Sequence, residues 1–235
     1  MNRPWFRPFL AEAIGTFGLI FFGAGSIIMN EYTGGGVGLV GIALAHGVVL
    51  AVVITATAHI SGGHINPAVT VGVWIGRKIE ARMAVVYIAA QLLGAVVAAA
   101  LLAALFPTGA VDAASLGTPM LAGDVTISTG IVIEAILTFF LVFTVFGTAV
   151  DSRAPNLGGW AIGLVLVFAI LAGGPLTGAS LNPARTFGPA LVGGYWTGHI
   201  VYWAGPILGG IVAAAIYSRL LMPRTDAAEE ATAAE

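Results

Sequence analysis

The sequence predicts an all-α membrane protein of six transmembrane helices and two re-entrant half-helices, arranged as an inverted repeat. Three observations carry that fold class. The chain is 58% hydrophobic and only 9% charged, against about 25% charged in soluble domains. Its apolar runs are long and continuous, whereas a membrane β-barrel shows short alternating segments. A short motif in apolar surroundings also occurs twice, as SGGHINPAVT over residues 61–70 and as TGASLNPARTFGPAL over residues 177–191.

The first span is expected over residues 9–29. The basic MNRPWFRPF before it imitates a signal peptide, but the apolar run is longer than a signal's hydrophobic region, so the span stays uncleaved. A second span covers 37–58. Asn66-Pro67-Ala68 then reads as a helix start, with Asn at the cap and Pro at the first helical position. The next span begins near Met83, which leaves roughly ten helical residues where a crossing needs ~20. The third span covers 83–106, and 107–124 is the longest external loop. Spans follow at 126–150 and 157–172. Asn182-Pro183-Ala184 opens the second half-helix, and the sixth span covers 198–221. Residues 1–225 form one domain, and the Ala/Glu-rich 223–235 form a disordered tail.

Basic residues orient the chain. With the N-terminus inside, Arg3, Arg7, Arg77, Lys78, Arg82, Arg153, Arg219 and Arg224 all fall on the cytoplasmic side, eight of the nine Lys and Arg residues. Both termini are therefore cytoplasmic, and Arg185 is the exception. The halves also repeat. Glu12-Ala13-Ile14 with Thr16-Phe17 matches Glu134-Ala135-Ile136 with Thr138-Phe139, and Tyr87, Gly94 and Ala98 match Tyr202, Gly209 and Ala213. Three spans per repeat (about 6–106 and 126–221) turn the second copy upside down. The half-helices then enter from opposite faces and meet near the midplane.

Two helix N-termini aimed at one place put about half a positive charge each there, which repels cations. Asn66 and Asn182 can each offer an amide N–H to a passing oxygen. The acceptors are carbonyls of Gly62, Gly63, His64 and Ile65 in one loop and of Gly178, Ala179, Ser180 and Leu181 in the other. A water that accepts from both Asn residues cannot accept from its neighbours, so a proton relay stalls there. Arg185, three residues after Asn182, must line water or bond to carbonyls, because an unpaired guanidinium in lipid is costly. Glu12 and Glu134 are membrane-embedded carboxylates that read as proton relays, ion ligands or struts.

Several classes are excluded. With no cysteine there is no disulfide, thiolate metal site or Cys nucleophile. No constellation suggests an enzyme, a metal or a cofactor, and a net charge of −2 suggests no nucleic-acid partner. A secondary transporter, which also uses broken helices, would want a coupling-ion carboxylate, and the loops have none.

Two NPA motifs at homologous places in a six-span inverted repeat resemble the aquaporin (major intrinsic protein) family over essentially residues 9–221. The nearest type is a prokaryotic water channel with a tonoplast-type-like filter. The resemblance implies a homotetramer in the cell membrane that passes water and small neutral solutes. It makes Glu12 and Glu134 struts for the re-entrant loops and Arg185 the filter cation. The family's spacing puts the other filter positions at His46, Ile170 and Ala179, a set that resembles filters associated with water plus ammonia. The alternative is a glycerol facilitator. Those resemble one another in an Asp after the filter Arg and a basic residue four further on, where this chain has Thr186 and Ala190. His59 and His199 read as interfacial residues or pH sensors, and Trp5, Trp196, Trp203, Tyr195 and Tyr202 as interfacial belts.

Overall fold

Helix α1 (Phe6–Tyr32) begins at the basic N-terminal edge and runs three residues past the expected apolar limit at each end. Asn30 and Glu31 do not stop it, because outside the hydrocarbon nothing forbids a polar helix turn. Thr33 then caps it, its hydroxyl donating to the Met29 carbonyl, while Asn30 accepts from the Gly38 N–H where α2 (Gly38–Ser61) starts. The structure, a computed structural model, describes residues 4–155, 157 and 159–223. Arg3, Arg224 and the expected tail from 224 onward lie outside these.

The half-helix α3 (Pro67–Ile75) follows, then α4 (Ala81–Leu105), the short external helix α5 (Thr108–Ala113), and α6 (Ile127–Val145). The second half continues with α7 (Gly159–Thr177), the half-helix α8 (Pro183–Gly193) and α9 (Val201–Ile216). Six helices are long and apolar enough to cross a membrane, and α3 and α8, at nine and eleven residues, are not. Helix α7 runs on to Thr177 through Gly173, Gly174 and Pro175, a stretch that reads as a breaker. In lipid, leaving the helix would strand more backbone groups than the one bond Pro175 removes. The long loop after α4 has structure of its own. After α5, a turn at Ser115–Gly117 holds three consecutive residues at φ 48, 54 and 69, with the Leu116 side chain buried.

Repeat symmetry is visible in the packing. Helix α1 lies against α4 as α6 lies against α9, and the half-helices cross over, α3 onto α9 and α8 onto α4. Glycine makes the two helix contacts possible: a Cβ on Gly94 would collide with the Ala13 carbonyl, and one on Gly209 with the Ala135 carbonyl. Backbones this close are how helices associate where burial from water offers no driving force. Large apolar side chains such as Val85, Leu105, Ile136 and Leu164 point outward, where lipid would meet them.

Helices α6 and α9 both end in a π-turn, Phe146–Val150 and Tyr217–Leu221. Tyr217 packs on Phe143 and Phe146 between the two. Beyond the first turn, Asp151 accepts from the Arg153 backbone and side chain, and Arg153 Nη2 also donates to the Leu221 carbonyl. This ties the loop after α6 to the end of α9.

Candidate functional site

The two re-entrant loops are held by the same device. The buried Glu12 carboxylate accepts from Ser61 Oγ (2.7 Å), the His64 N–H (2.9 Å), the Ile65 N–H (2.6 Å) and Gln91 Nε2 (2.7 Å). In the other half, Glu134 accepts from Thr177 Oγ1 (2.7 Å), the Ser180 N–H (2.9 Å) and the Leu181 N–H (2.8 Å). Tyr87 and Tyr202 donate to the Ser61 and Thr177 carbonyls, both at 2.8 Å. Tyr202 is fully buried in this role, so it does not belong to the interfacial belt that its position suggests. The carboxylates grip residues in an uncommon conformation. Ile65 has φ 55 and Leu181 φ 54, and for a β-branched residue such as Ile65 that region is a genuine outlier. Such a backbone persists only where its surroundings over-determine it.

Each loop then turns into its half-helix as the motif dictates. Asn66 and Asn182 have extended backbone, and their Oδ1 atoms accept from the N–H groups of Ala68 and of Ala184 and Arg185, with Pro67 and Pro183 next in line. The amide nitrogens cross the midplane. Asn66 Nδ2 donates to the Leu181 carbonyl at 2.8 Å, and Asn182 Nδ2 donates to the Ile65 carbonyl at 2.9 Å. An amide has two N–H bonds, so each Asn keeps one after this exchange.

Arg185 is 3% exposed. Its Nη1 donates to the Gly117 carbonyl at 2.7 Å, which the left-handed turn of the external loop presents to it. Its Nη2 lies 3.3 Å from His46 Nε2. His46 Nδ1 lies 2.8 Å from the Ile42 carbonyl, which can only accept, so the imidazole proton sits on Nδ1 and Nε2 accepts from the arginine. Arg185 Nε is buried without a partner among the described residues.

A narrow cavity of about 20 Å³ joins these groups, a little above the ~10–15 Å³ that one water needs. It is lined by His46, Ala179 and Arg185, by Asn66 and Asn182, and by Gly63, His64 and Ser180 of the loops. Leu19, Leu50, Ile162 and Leu166 supply apolar wall. Ile170 is buried but not part of this lining; it follows Ile162 and Leu166 on one face of α7, a turn further along. Gly62, Ile65, Gly178 and Leu181 also stand back from the cavity, the Ile65 and Leu181 carbonyls being taken by the opposing Asn residues.

Reasoning from sequence misses three residues here. Gln91, the only Gln of the chain, is fully buried on Glu12 and Thr70, and a lone amide in an apolar span is a signal that could have found it. Gly117 is needed for its carbonyl, and Gly23 because a Cβ there would press on the His46 ring at 2.6 Å. His199 sits beside Phe187 and Trp196, and its Nε2 accepts from Trp203 Nε1. Burial pushes its pKa below the ordinary value.

Comparison with known proteins agrees with this architecture. The chain is 46% identical over 225 residues to aquaporin TIP4-4 of Zea mays, covering 92% of this chain and 87% of the relative. It is 43% identical over 224 residues to aquaporin TIP2-1 of Arabidopsis thaliana, with 92% and 88% covered. Such plant relatives lend no support to the expected prokaryotic type. The X-ray structure of the aquaglyceroporin from Plasmodium falciparum superposes with a TM-score of 0.86 at 25% identity, over 95% of this chain and 99% of that one. The model of the family described as major intrinsic protein matches residues 2–217. With that match over nearly the whole chain, and relatives this similar, the chain belongs to the major intrinsic protein family, the aquaporins.

Proposed function

We propose that this protein is a homotetrameric water channel whose filter also passes ammonia and holds back glycerol. As a member of its family it is a passive membrane channel for water and small solutes and not an enzyme. The observation that carries the finer reading is the crossed pair Asn66–Leu181 and Asn182–Ile65 beside a narrow cavity. Each amide's remaining N–H faces a permeant oxygen, which turns the permeant's hydrogens outward on both sides. Together with the half-helix dipoles, this stops proton relay and rejects cations. In this reading Glu12 and Glu134 keep the loops in their strained shape.

Arg185, His46, Ala179 and Ile170 form the filter. Because the His46 proton is committed to Ile42, the donors left for an ammonia lone pair are the second hydrogens of Arg185 Nη1 and Nη2. The cavity wall is apolar through Leu19, Leu50, Ile162, Leu166 and Ala179, with little to bind glycerol's three hydroxyls. Thr186 and Ala190, without the charges of glycerol facilitators, support the same exclusion. No carboxylate lines the cavity, which argues against ion-coupled transport.

Stopped-flow light scattering on proteoliposomes with water, ammonia, urea and glycerol tests this. Ammonia permeability equal to that of empty vesicles removes the ammonia assignment, and glycerol flux comparable to water flux replaces it with a facilitator. We place the chain in the cell membrane with cytoplasmic termini, from its basic residues. A fluorescent fusion that reports an internal membrane instead, as for a tonoplast-type protein, overturns that placement. Native mass spectrometry reads the tetramer.

A further inference from the structure

We infer that His64 is held in one tautomer that makes it a hydrogen-bond acceptor facing the cytoplasmic half of the pore, and that Thr70 and Gln91 are the positioning residues that hold it. The inference rests on the channel reading for its consequence, but not for its geometry. Thr70 Oγ1 has three close neighbours: the Asn66 carbonyl at 3.0 Å, Gln91 Nε2 at 2.9 Å and His64 Nδ1 at 3.1 Å. The carbonyl can only accept, so the single hydroxyl proton belongs there. Gln91 can only donate through its nitrogen. Turning its amide over would set its oxygen against Glu12 Oε2 at 2.7 Å.

The remaining contact therefore needs a hydrogen from His64, which places the imidazole proton on Nδ1. In the opposite assignment the Thr70 proton goes to His64, and two oxygens stand 3.0 Å apart with no hydrogen between them. Every contact is satisfied only in the first. His64 Nε2 is then a bare lone pair. The hydrogen bonds of His64 among the described residues use its backbone N–H and Nδ1 and none reaches Nε2, and the half-buried ring lines the cavity with its edge against Tyr87 at 5.1 Å.

An acceptor at this place suits the water file. Waters on the cytoplasmic side of Asn66 point their oxygens inward to the Asn amides and their hydrogens outward. An Nε2 lone pair receives such a hydrogen and reinforces the orientation. An Nε2–H donor would turn the water round and reopen a proton path. The other repeat has no counterpart. Ser180 stands where His64 does and Pro206 where Gln91 does, and the Ser180 hydroxyl is used within its own loop, on the Asn182 carbonyl and Thr186. The orientation device is thus one-sided.

Solid-state ¹⁵N NMR of reconstituted protein labelled at histidine reads the tautomer directly, in a His59→Gln, His199→Gln background that leaves the two pore histidines. The expected wild-type spectrum has His64 with Nδ1 protonated and Nε2 bare at neutral pH. Thr70→Ser should keep that signal, and Thr70→Val should lose it to a tautomer mixture while the vesicles' proton leak rises above wild type. A protonated Nε2 in the wild type, or a Thr70→Val protein whose tautomer and proton leak both match wild type, overturns the inference. Because the spectrum needs no permeation, its failure is distinct from a failure of the channel reading.

Discussion

Replacing each loop-gripping carboxylate by its amide should destabilise the two halves to a similar extent. In Glu134→Gln the best orientation keeps the oxygen where two donors converge, Thr177 Oγ1 and the Ser180 N–H, and turns the NH₂ toward the Leu181 N–H. One buried donor is orphaned, at about 1–3 kcal/mol. In Glu12→Gln each oxygen serves two donors, Ser61 and His64 on one, Ile65 and Gln91 on the other. The best orientation keeps the oxygen on Ile65 and Gln91 and turns the NH₂ toward Ser61, whose hydroxyl can accept. The His64 N–H alone is then orphaned, at the same cost of about 1–3 kcal/mol. Denaturant titration of both variants in mild detergent, followed by tryptophan fluorescence, measures the two losses. Either variant as stable as wild type would refute this reasoning from donor numbers.

Three further outcomes are expected. Arg185→Val removes the proposed filter cation and its tie to Gly117, so proton and cation leak should rise while water still passes; leak equal to wild type in a pH-jump assay denies Arg185 a filter role. Water flux should be indifferent to low concentrations of mercuric chloride, since the chain has no thiol, and thiol-reversible inhibition would contradict this. Arg153's side-chain and backbone hydrogen bonds hold the Asp151 carboxyl down to about 2, below the ~3.9 of a free Asp. A depressed pKa stabilises the fold above the unfolded value and ceases to as pH falls through the folded one. The stability gap between wild type and Asp151→Asn should therefore be constant down to about pH 4 and close toward pH 2, and a gap that widens with acid would count against the pairing.

What could be read from the residues in advance follows the range of the physics. Half-helix starts are local: Asn66 and Asn182 reveal caps because the next residue is Pro and the apolar run is too short to cross. Six spans are legible for a similar reason, since lipid punishes any interruption of a long apolar helix. The end of α7 is not, because Gly173-Gly174-Pro175 is a breaker in water and only lipid carries the helix through it. Tyr202 looks interfacial by its neighbours, yet its hydroxyl is spent on Thr177. Gln91, Gly23 and Gly117 matter through partners 79, 23 and 68 residues away, a distance at which no periodicity or spacing speaks.

The bonds of the two loops divide in a way that bears on how the chain is made. Glu12, Ser61, His64, Ile65 and Gln91 all lie within the first 91 residues, so the first loop's strained backbone is satisfied as soon as α4 is synthesised. Asn66, by contrast, waits for Leu181, 115 residues later, and α3 waits for α9. During translation the first half can enter the bilayer with its loop already shaped, holding one amide and one short helix open for an unmade partner. The external loop at 107–126 is then a natural seam. A chain severed there should yield two fragments that insert separately, each with its own carboxylate clasp, and that conduct only after they find each other in the membrane.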